Sequence, residues 1–161
     1  KGEHLTDFTL ELEKAANYYR QPDNKVFTTA RNLYAVTVME PRSKRWFAQD
    51  MQNFASAYDF VAVMAMPYME GAENPNQWLR SLARRSLEQV SADQLVFELQ
   101  AQDWHTQTPI PSAEIAQWVR ILREEGIKNI GYYPDDFHQN HPDINVMRPV
   151  FSIGRRFRAI Q

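Results

Sequence analysis

The sequence predicts an α/β fold in which helices cover a parallel sheet. Helical and strand patterns alternate along the 161 residues in four successive units. The apolar run at residues 60–66 is continuous, which is typical of a strand buried on both faces of a parallel sheet. An eight-stranded (β/α)8 barrel of the TIM type needs about 250 residues, so a chain of this length with four helix–strand units suits half of one. A small, open, doubly wound sheet is the alternative, but no G-x-G-x-x-G or P-loop pattern is present.

The first half of the chain contains the first two of these units. Apolar residues three and four apart predict the first helix: Leu5, Phe8, Leu12, Ala15 and Tyr19. Residues 25–30 are short and rich in β-branched side chains, which predicts the first strand. A second helix is predicted over residues 43–58, with one apolar face formed by Phe47, Met51, Phe54 and Tyr58. The apolar run at 60–66 is the second strand.

The second half repeats the pattern twice. Asn74 suits a helix cap and Pro75 suits the first helical position. The third strand is predicted over residues 94–100 and the fourth over 128–133, on either side of a helix at 112–125 that ends at Gly126. The inward face of that helix is predicted to carry Ile115, Trp118, Val119 and Leu122. From Pro142 onward we expect an irregular tail with a turn near Asp143.

Composition excludes several classes of protein. The 18 basic and 20 acidic residues give a net charge of −2, which disfavours the large positive field of a general nucleic-acid binder. No apolar run approaches about 20 residues, the length that a membrane span needs. Cysteine is absent, so disulfides, thiol nucleophiles and cysteine-ligated metals are excluded. The helical pattern begins within a few residues of Lys1, and we expect the chain to be a fragment of a longer protein.

Aromatic and acidic residues recur where the predicted strands end, which is where parallel α/β folds bind ligands. The four segments are residues 31–34, 67–71, 100–105 and 133–138. Aromatic rings stack on sugar faces, and carboxylates balanced only by Arg31 favour a cationic ligand. The pattern indicates a cleft for an amine-bearing carbohydrate. The alternative is that these rings only cap the rim of the barrel.

Four further features carry alternatives. Trp46 lies about 100° from Phe47 on a helix, so it is either a ligand platform or a helix-packing residue. The third strand alternates apolar residues with Glu98, Gln100 and Gln102, and a structural role for Glu98 is favoured over a catalytic one. Residues 135–141 contain two Asp and two His in a Pro-flanked loop, a weak metal pattern. The three arginines at residues 155, 156 and 158 are expected to form a solvated tail.

Several strand-end motifs resemble one family, the C-terminal domain of bacterial poly-β-1,6-N-acetyl-D-glucosamine N-deacetylases. The motifs are Met64-Ala-Met-Pro-Tyr-Met-Glu-Gly71, Glu98-Leu-Gln-Ala-Gln-Asp-Trp104 and Gly131-Tyr-Tyr-Pro-Asp135. Thr29-Ala-Arg-Asn32 and Trp46-Phe-Ala-Gln49 fit as well. The resemblance extends from Leu5 to about Phe151, with the motifs in the same order.

The resemblance implies a periplasmic, outer-membrane-associated biofilm factor with two domains. The first is a metal-dependent deacetylase, and the second is a (β/α)8 glycoside-hydrolase-type barrel that binds the partly deacetylated polymer. Residues 1–161 would then form the C-terminal half of that barrel, without the deacetylase domain or the front half of the barrel. The family's metal site and proposed catalytic acid lie in those absent parts. We therefore expect neither catalytic residues nor a metal or other cofactor in this chain.

By motif position, Trp46, Trp104 and Tyr133 match sugar-contacting aromatic residues of the family, and Tyr68, Glu70 and Asp135 are also carried over. His105 is an unfamiliar neighbour of Trp104, so that loop is expected to differ. The implied partners are the partly deacetylated polymer and an outer-membrane export porin, and self-association through open barrel edges is a further expectation. Three activities remain open: part of a deacetylase and hydrolase, a non-catalytic module that guides export, or an inactive half-barrel.

Overall fold

The computed structural model describes residues 2–19 and 28–152. In chain order the elements are α1 (Gly2–Tyr19), β1 (Ala30–Tyr34), α2 (Val36–Met39), α3 (Lys44–Phe47), α4 (Met51–Ala57), β2 (Phe60–Ala65), α5 (Pro75–Leu87), β3 (Leu95–Gln100), β4 (Gln102–Asp103), β5 (Thr108–Pro109), α6 (Ser112–Glu124), β6 (Asn129–Tyr133) and α7 (Ile144–Phe151). A short 3₁₀ turn, Pro41–Ser43, separates α2 from α3. No helix in the described ranges is both long enough and apolar enough to cross a membrane.

The main sheet has four strands in the order β1-β2-β3-β6, and every neighbouring pair is parallel. A helix precedes each strand, as the alternating sequence pattern predicts. The prediction of an α/β fold with a parallel sheet is therefore confirmed. The sequence did not predict the small antiparallel hairpin in which Asp103 of β4 pairs with Thr108 of β5.

One face of the sheet is packed against helices and forms the core. Leu33, Val63, Phe97 and Leu99 point to this face and are fully buried. The predicted inward residues of α6, Ile115, Trp118, Val119 and Leu122, are all 0% exposed. Burial of such side chains contributes about 1.5–3 kcal/mol each. The opposite face carries side chains that are exposed or only partly buried, among them Asn32, Tyr34 and Glu98, and we call it the open face.

The expected helix boundaries around α5 and α6 are confirmed. The side chain of Asn74 accepts a hydrogen bond from the backbone N–H of Gln77 at 3.1 Å, which caps α5, and Pro75 is its first residue. Gly126 ends the α6 segment with φ of +98°, a conformation that costs glycine little because it has no Cβ.

Three sequence-based boundaries are wrong. The first strand is Ala30–Tyr34 and not residues 25–30; residues 25–27 lie outside the described part, and residues 31–34 belong to the strand itself. The predicted helix over 43–58 is two helices, α3 and α4, because Ala48 adopts a left-handed conformation with φ of 53°. Asp50 then caps α4 by accepting from the backbone N–H of Asn53.

The third wrong boundary concerns the tail. Instead of an irregular segment with a turn, α7 begins after Asp143, whose side chain accepts a hydrogen bond from the backbone N–H of Asn145 at 2.8 Å. The ring of Phe151 in α7 packs against Tyr132 of β6, with centroids 5.7 Å apart. The final helix therefore packs beside one edge strand of the sheet. The predicted tail arginines lie beyond the described residues.

Helix α1 has an exposed apolar stripe. Leu5, Phe8 and Leu12 are 52%, 60% and 54% exposed, although their spacing is that of a buried helix face. Leu10 packs on the core, and Thr9 Oγ1 bonds the hydroxyl of Tyr58 next to α4. The helix thus contacts the rest of the protein through Leu10 and Thr9, and not through the apolar stripe that the sequence pattern predicts.

Candidate functional site

The open face of the sheet carries one row of side-chain positions across all four strands. The strand register aligns Tyr34, Met64, Glu98 and Gly131. Residues in such a row point to the same face of a parallel sheet. Tyr133 lies two residues beyond Gly131, so its side chain leaves the same face nearer the carboxyl edge. The candidate site consists of this face and the loops that follow its strands.

Glu98 accepts a hydrogen bond at 3.1 Å from the side-chain amide of Asn32, which lies two strands away on β1. Two strand spacings are about 10 Å, so both side chains must reach over β2 on the open face to meet. The register places the small side chain of Ala62 beside Asn32 on β2. Burial raises the pKa of the Glu98 carboxyl above its usual value. The structure thus gives Glu98 a hydrogen-bond partner but no cationic one among the described residues.

Gln100, the last residue of β3, is fully buried and organises the loop after β2. Its Oε1 accepts hydrogen bonds from the backbone N–H groups of Tyr68 and Met69, at 2.8 and 3.1 Å. Its Nε2 donates to the carbonyl of Gln102 at 2.8 Å. A neutral amide satisfies three backbone groups here without the cost of burying a charge. Gln100 therefore fixes the position of the loop that carries two of the predicted site residues.

Tyr68, the first of those two residues, is tied to α6. Its hydroxyl donates to Glu114 Oε1 at 2.5 Å, and this bond is the main reason that its pKa is raised to about 12. Its ring also packs edge-on against buried Trp118, with centroids 5.7 Å apart. The hydroxyl is thus engaged within the protein, and the partly exposed ring is the part of Tyr68 left for a ligand.

Glu70, the second predicted site residue in the loop after β2, lies close to the segment that follows β1, near Val36 and Glu40. Burial is the largest cause of its raised pKa; the backbone N–H of Val36 opposes that shift, and the charge of Glu40 adds to it. Glu70 therefore lies between the ends of β1 and β2, half-buried and close to a second acidic group.

Trp104 and Tyr133 form an aromatic pair at the ends of β3 and β6. Their ring centroids are 5.9 Å apart and their planes are tilted by 33°, and Tyr133 is 62% exposed. The hairpin that carries Trp104 is held by Asp103, whose side chain accepts from the backbone N–H of His105 at 2.8 Å. That backbone bond is the largest cause of the lowered pKa of Asp103. Asp103 is consequently engaged in the turn, whereas the ring of Tyr133 is exposed and that of Trp104 is partly exposed.

Asp135 lies two residues after Tyr133 in the chain and lines a cavity of about 400 Å³. Its Oδ1 receives a long hydrogen bond of 3.4 Å from the hydroxyl of Tyr132. Other residues that line the cavity include Gln102, Asp136, Phe137 and His138. Phe137 is 80% exposed, an aromatic residue that the sequence placed in a strand-end segment without assigning it to the site.

Trp46 lies at the other end of the same edge. It is 87% exposed, in agreement with the prediction that it lies off the core, and it borders a shallow pocket of about 490 Å³ with Arg42 and Arg45. Its neighbour Phe47 was expected in the core, but is 41% exposed and packs on Tyr34, with centroids 5.1 Å apart. Trp46 is thus near the end of β1, whereas the Trp104–Tyr133 pair is near β3 and β6.

The charges around the site differ from the prediction. Arg31 does not lie at a strand end: it sits within β1 on the core side, with its guanidinium 5.8 Å from the ring centre of Phe54. The cations near the edge are instead Arg42 and Arg45 beside Trp46. The edge is therefore acidic around Trp104 and Tyr133 and basic around Trp46.

Residues 135–141 form a closed turn. Asp136 and His141 exchange backbone hydrogen bonds at 2.8 and 2.9 Å, and the imidazole of His141 bonds the carbonyl of Ala101 at 3.0 Å. Within residues 2–19 and 28–152, no group of three or more His, Asp or Glu side chains is placed to hold a metal ion.

The chain resembles characterised proteins over most of its length. The family profile described as hypothetical glycosyl hydrolase family 13 matches residues 1–133. Two curated relatives, both named poly-beta-1,6-N-acetyl-D-glucosamine N-deacetylase, come from Escherichia coli strains K12 and O157:H7. Each is 43% identical over 159 residues, which is 94% of this chain and 23% of the relative. The chain thus spans about a quarter of these relatives.

A solved structure is similar as well. It is the PgaB (BpsB) glycoside hydrolase domain from Bordetella bronchiseptica, 42% identical, with a TM-score of 0.90 over 95% of this chain and 43% of that one. The resemblance to the deacetylase family that the strand-end motifs indicate is therefore confirmed. The structural likeness extends to less than half of the solved domain.

Sequence reasoning missed the roles of Gln100 and Glu114. Both are polar residues at positions where the pattern predicts a buried strand end or a solvated helix start. The available signal was the polar alternation of β3, which singled out Gln100 without indicating its partners. Glu114 carried no signal, because its partner Tyr68 is 46 residues away in the chain.

Proposed function

Because this chain belongs to hypothetical glycosyl hydrolase family 13, we propose that it supplies the carbohydrate-binding edge of a glycoside-hydrolase-type domain. The ligand is a β-1,6-linked N-acetylglucosamine polymer in partly deacetylated form. The names of the relatives support this substrate, and the aromatic and acidic residues at the carboxyl edge suit it.

The Trp104–Tyr133 pair is the observation that carries the proposal. Two rings with centroids 5.9 Å apart, one exposed and one partly exposed, offer an apolar surface wide enough for a sugar ring. Asp135 follows Tyr133 by two residues in the chain and lines a cavity of about 400 Å³. A protonated glucosamine amine would be attracted to this carboxylate, because opposite charges close together in a partly desolvated site interact favourably.

The other predicted site residues, Trp46, Tyr68 and Glu70, would make additional contacts with the polymer. Trp46 provides a second platform near the end of β1, where the adjacent arginines suit an uncharged N-acetylated unit better than an ammonium. Glu70 and Tyr68 line the edge between the two platforms, held there by Gln100. A polymer running along the edge would contact both ends.

The chain is proposed to be the second half of a (β/α)8 barrel, with its four parallel strands closing against a front half. Edge strands β1 and β6 and the exposed stripe of α1 provide surfaces for such a partner or for self-association. The parent would be a periplasmic, outer-membrane-associated polysaccharide deacetylase that also carries a hydrolase-type domain and works with an export porin. Its metal and its catalytic acid would lie outside these residues.

The test uses the native protein that carries this chain. It is incubated with partly deacetylated polymer, and the bound fraction and the length of the products are measured; fully acetylated polymer and an unrelated glucan serve as controls. We expect selective binding that Trp104→Ala with Tyr133→Ala abolishes. Shortened products indicate a hydrolase, and binding without shortening indicates a module that guides export. Equal retention of the unrelated glucan would contradict the proposal.

A further inference from the structure

Glu98 is a carboxylate on the open face of the sheet, in the middle of the four strands. The residues beside it in the register are Met64 on β2 and Gly131 on β6, and Tyr34 completes the row. None of these is charged at neutral pH. Burial raises the pKa of the Glu98 carboxyl, and none of the ion pairs among the described residues involves Glu98. Glu98 is therefore a partly buried negative charge with a neutral amide, Asn32, as its hydrogen-bond partner.

The space beside Glu98 is open. A Cβ added at Gly131 would meet no atom within 4 Å, and the backbone there is not left-handed, so the glycine is not required by its conformation. The absence of a side chain at this position leaves room next to the carboxylate on the open face. A half-buried carboxylate beside an empty lateral space is an arrangement that a ligand group can enter.

This space lies directly below the aromatic pair. Tyr133 follows Gly131 by two residues on the same strand and leaves the same face, a rise of about 7 Å. A sugar stacked on Tyr133 and Trp104 therefore has substituents within reach of the Glu98 level. The distance is about the width of one pyranose unit, so Glu98 and the rings can contact the same or adjacent units.

We propose that Glu98 is a specificity-determining residue that accepts a hydrogen bond from the protonated amine of a bound amino sugar. The inference rests on the proposed carbohydrate-binding function and adds the position at which an amine is distinguished from an acetamide. Asn32 donates a hydrogen bond to one carboxylate oxygen of Glu98, Oε2, and Gly131 is the residue beside Glu98 on β6.

The chemistry of the two groups explains the selection. An ammonium brings a positive charge and three donors, which compensate the partly desolvated carboxylate. An acetamide brings a single N–H and no charge, and its acetyl group needs more room. A hydrogen bond to a charged partner is worth roughly twice a neutral one, so the amine is bound more tightly.

The experiment measures the affinity of the native protein for two probes of equal length: a β-1,6-linked glucosamine-containing oligosaccharide and the same oligosaccharide after full N-acetylation. Glu98→Gln keeps the size of the side chain and its acceptor for Asn32 but removes the charge. We expect about a tenfold loss of affinity for the amine probe and less than a twofold change for the acetylated probe. Glu88→Gln, an exposed carboxylate that follows α5 at the opposite edge, is the control and should change neither.

Gly131→Ala is a second variant, which tests the space rather than the charge. A methyl group there fits the folded protein, so the melting temperature should be kept while the affinity for the amine probe falls. Equal losses for both probes in Glu98→Gln, or unchanged amine affinity in both variants, would overturn the assignment of Glu98. If the wild-type protein binds neither probe, the carbohydrate-binding proposal itself fails and the assignment falls with it.

Discussion

Replacing Trp104 by alanine tests the aromatic pair most directly. The indole lies 5.9 Å from the ring of Tyr133 and is partly exposed, so a sugar can cover part of its face. Covering some 60 Å² of apolar surface is worth about 1.5 kcal/mol at 25 cal/mol per Å². The stacking geometry contributes on the order of 1 kcal/mol more, by analogy with other aromatic contacts. We therefore expect Trp104→Ala to weaken oligosaccharide binding by between about tenfold and about seventyfold.

The same substitution should have a small effect on stability. It removes one ring contact at the surface, about 1 kcal/mol, which corresponds to a fall of roughly 2–4 °C in melting temperature. The hairpin keeps its turn, because Asp103 bonds a backbone N–H and Gln107 donates to the carbonyl of residue 104, which alanine retains. Trp104→Phe is the matched control, and it should recover most of the affinity.

Isothermal titration calorimetry with a deacetylated oligosaccharide measures the affinity, and differential scanning calorimetry measures the melting temperature. The opposite result would be a melting temperature that Trp104→Ala lowers by about ten degrees or more, with the affinity of the remaining folded molecules preserved. In that case the indole would be a structural residue, and the aromatic pair would not be the binding surface.

Two further predictions concern charge and pH. Asp135→Asn should weaken binding of deacetylated oligomers more than that of acetylated ones, because only the former carry an ammonium; equal losses in a paired titration would contradict the charge argument. The Tyr68 hydroxyl has its pKa raised to about 12, so its contribution to stability is complete below the ordinary value of 10 and is lost as the pH rises through about 12. Tyr68→Phe should flatten this alkaline loss in unfolding experiments, and a wild-type slope would show that another group is responsible.

The sequence located β2, β3 and β6 to within one residue at each end, and the reason is clearest for β2. In β2 nearly every residue is buried, and the apolar run follows from that burial. In β1, by contrast, Asn32 and Tyr34 face the open side and are exposed, so the strand reads as polar and irregular. The strand was therefore predicted too early in the chain, over residues 25–30, which contain the apolar residues that precede β1. The polar, exposed side chains of β1 are therefore the reason that its sequence pattern did not indicate a strand.

The break between α3 and α4 illustrates a second limit. Ala48 adopts a left-handed conformation, which the sequence does not mark because alanine is the best helix former. Asp50 was the available signal, since an aspartate before an apolar-periodic segment suits a helix cap. The same signal at Asp143 begins α7, where the sequence analysis predicted an irregular tail from Pro142 onward.

The sequence identified the residues of the candidate site. It did not show which of them hold the loops in place and which remain available to a ligand. Tyr68, Asp103 and Gln100 share the strand-end pattern with Trp104, Tyr133 and Asp135, and composition cannot separate the two groups. The lengths of their hydrogen bonds differ: those of Tyr68, Asp103 and Gln100 are 2.5–3.1 Å, whereas the bond from the Tyr132 hydroxyl to Asp135 is 3.4 Å.

This division has a physical reason. A loop that presents a binding surface has backbone groups that lack strand partners, and these must be satisfied once the loop is buried. Gln100 satisfies three of them with a neutral amide, so the loop is held without a buried charge. Among the described residues, no backbone N–H donates to the carboxylates of Glu98 and Asp135, so these two are not needed to hold the backbone. Their charges remain for a ligand, and a cationic sugar is the ligand that such charges favour.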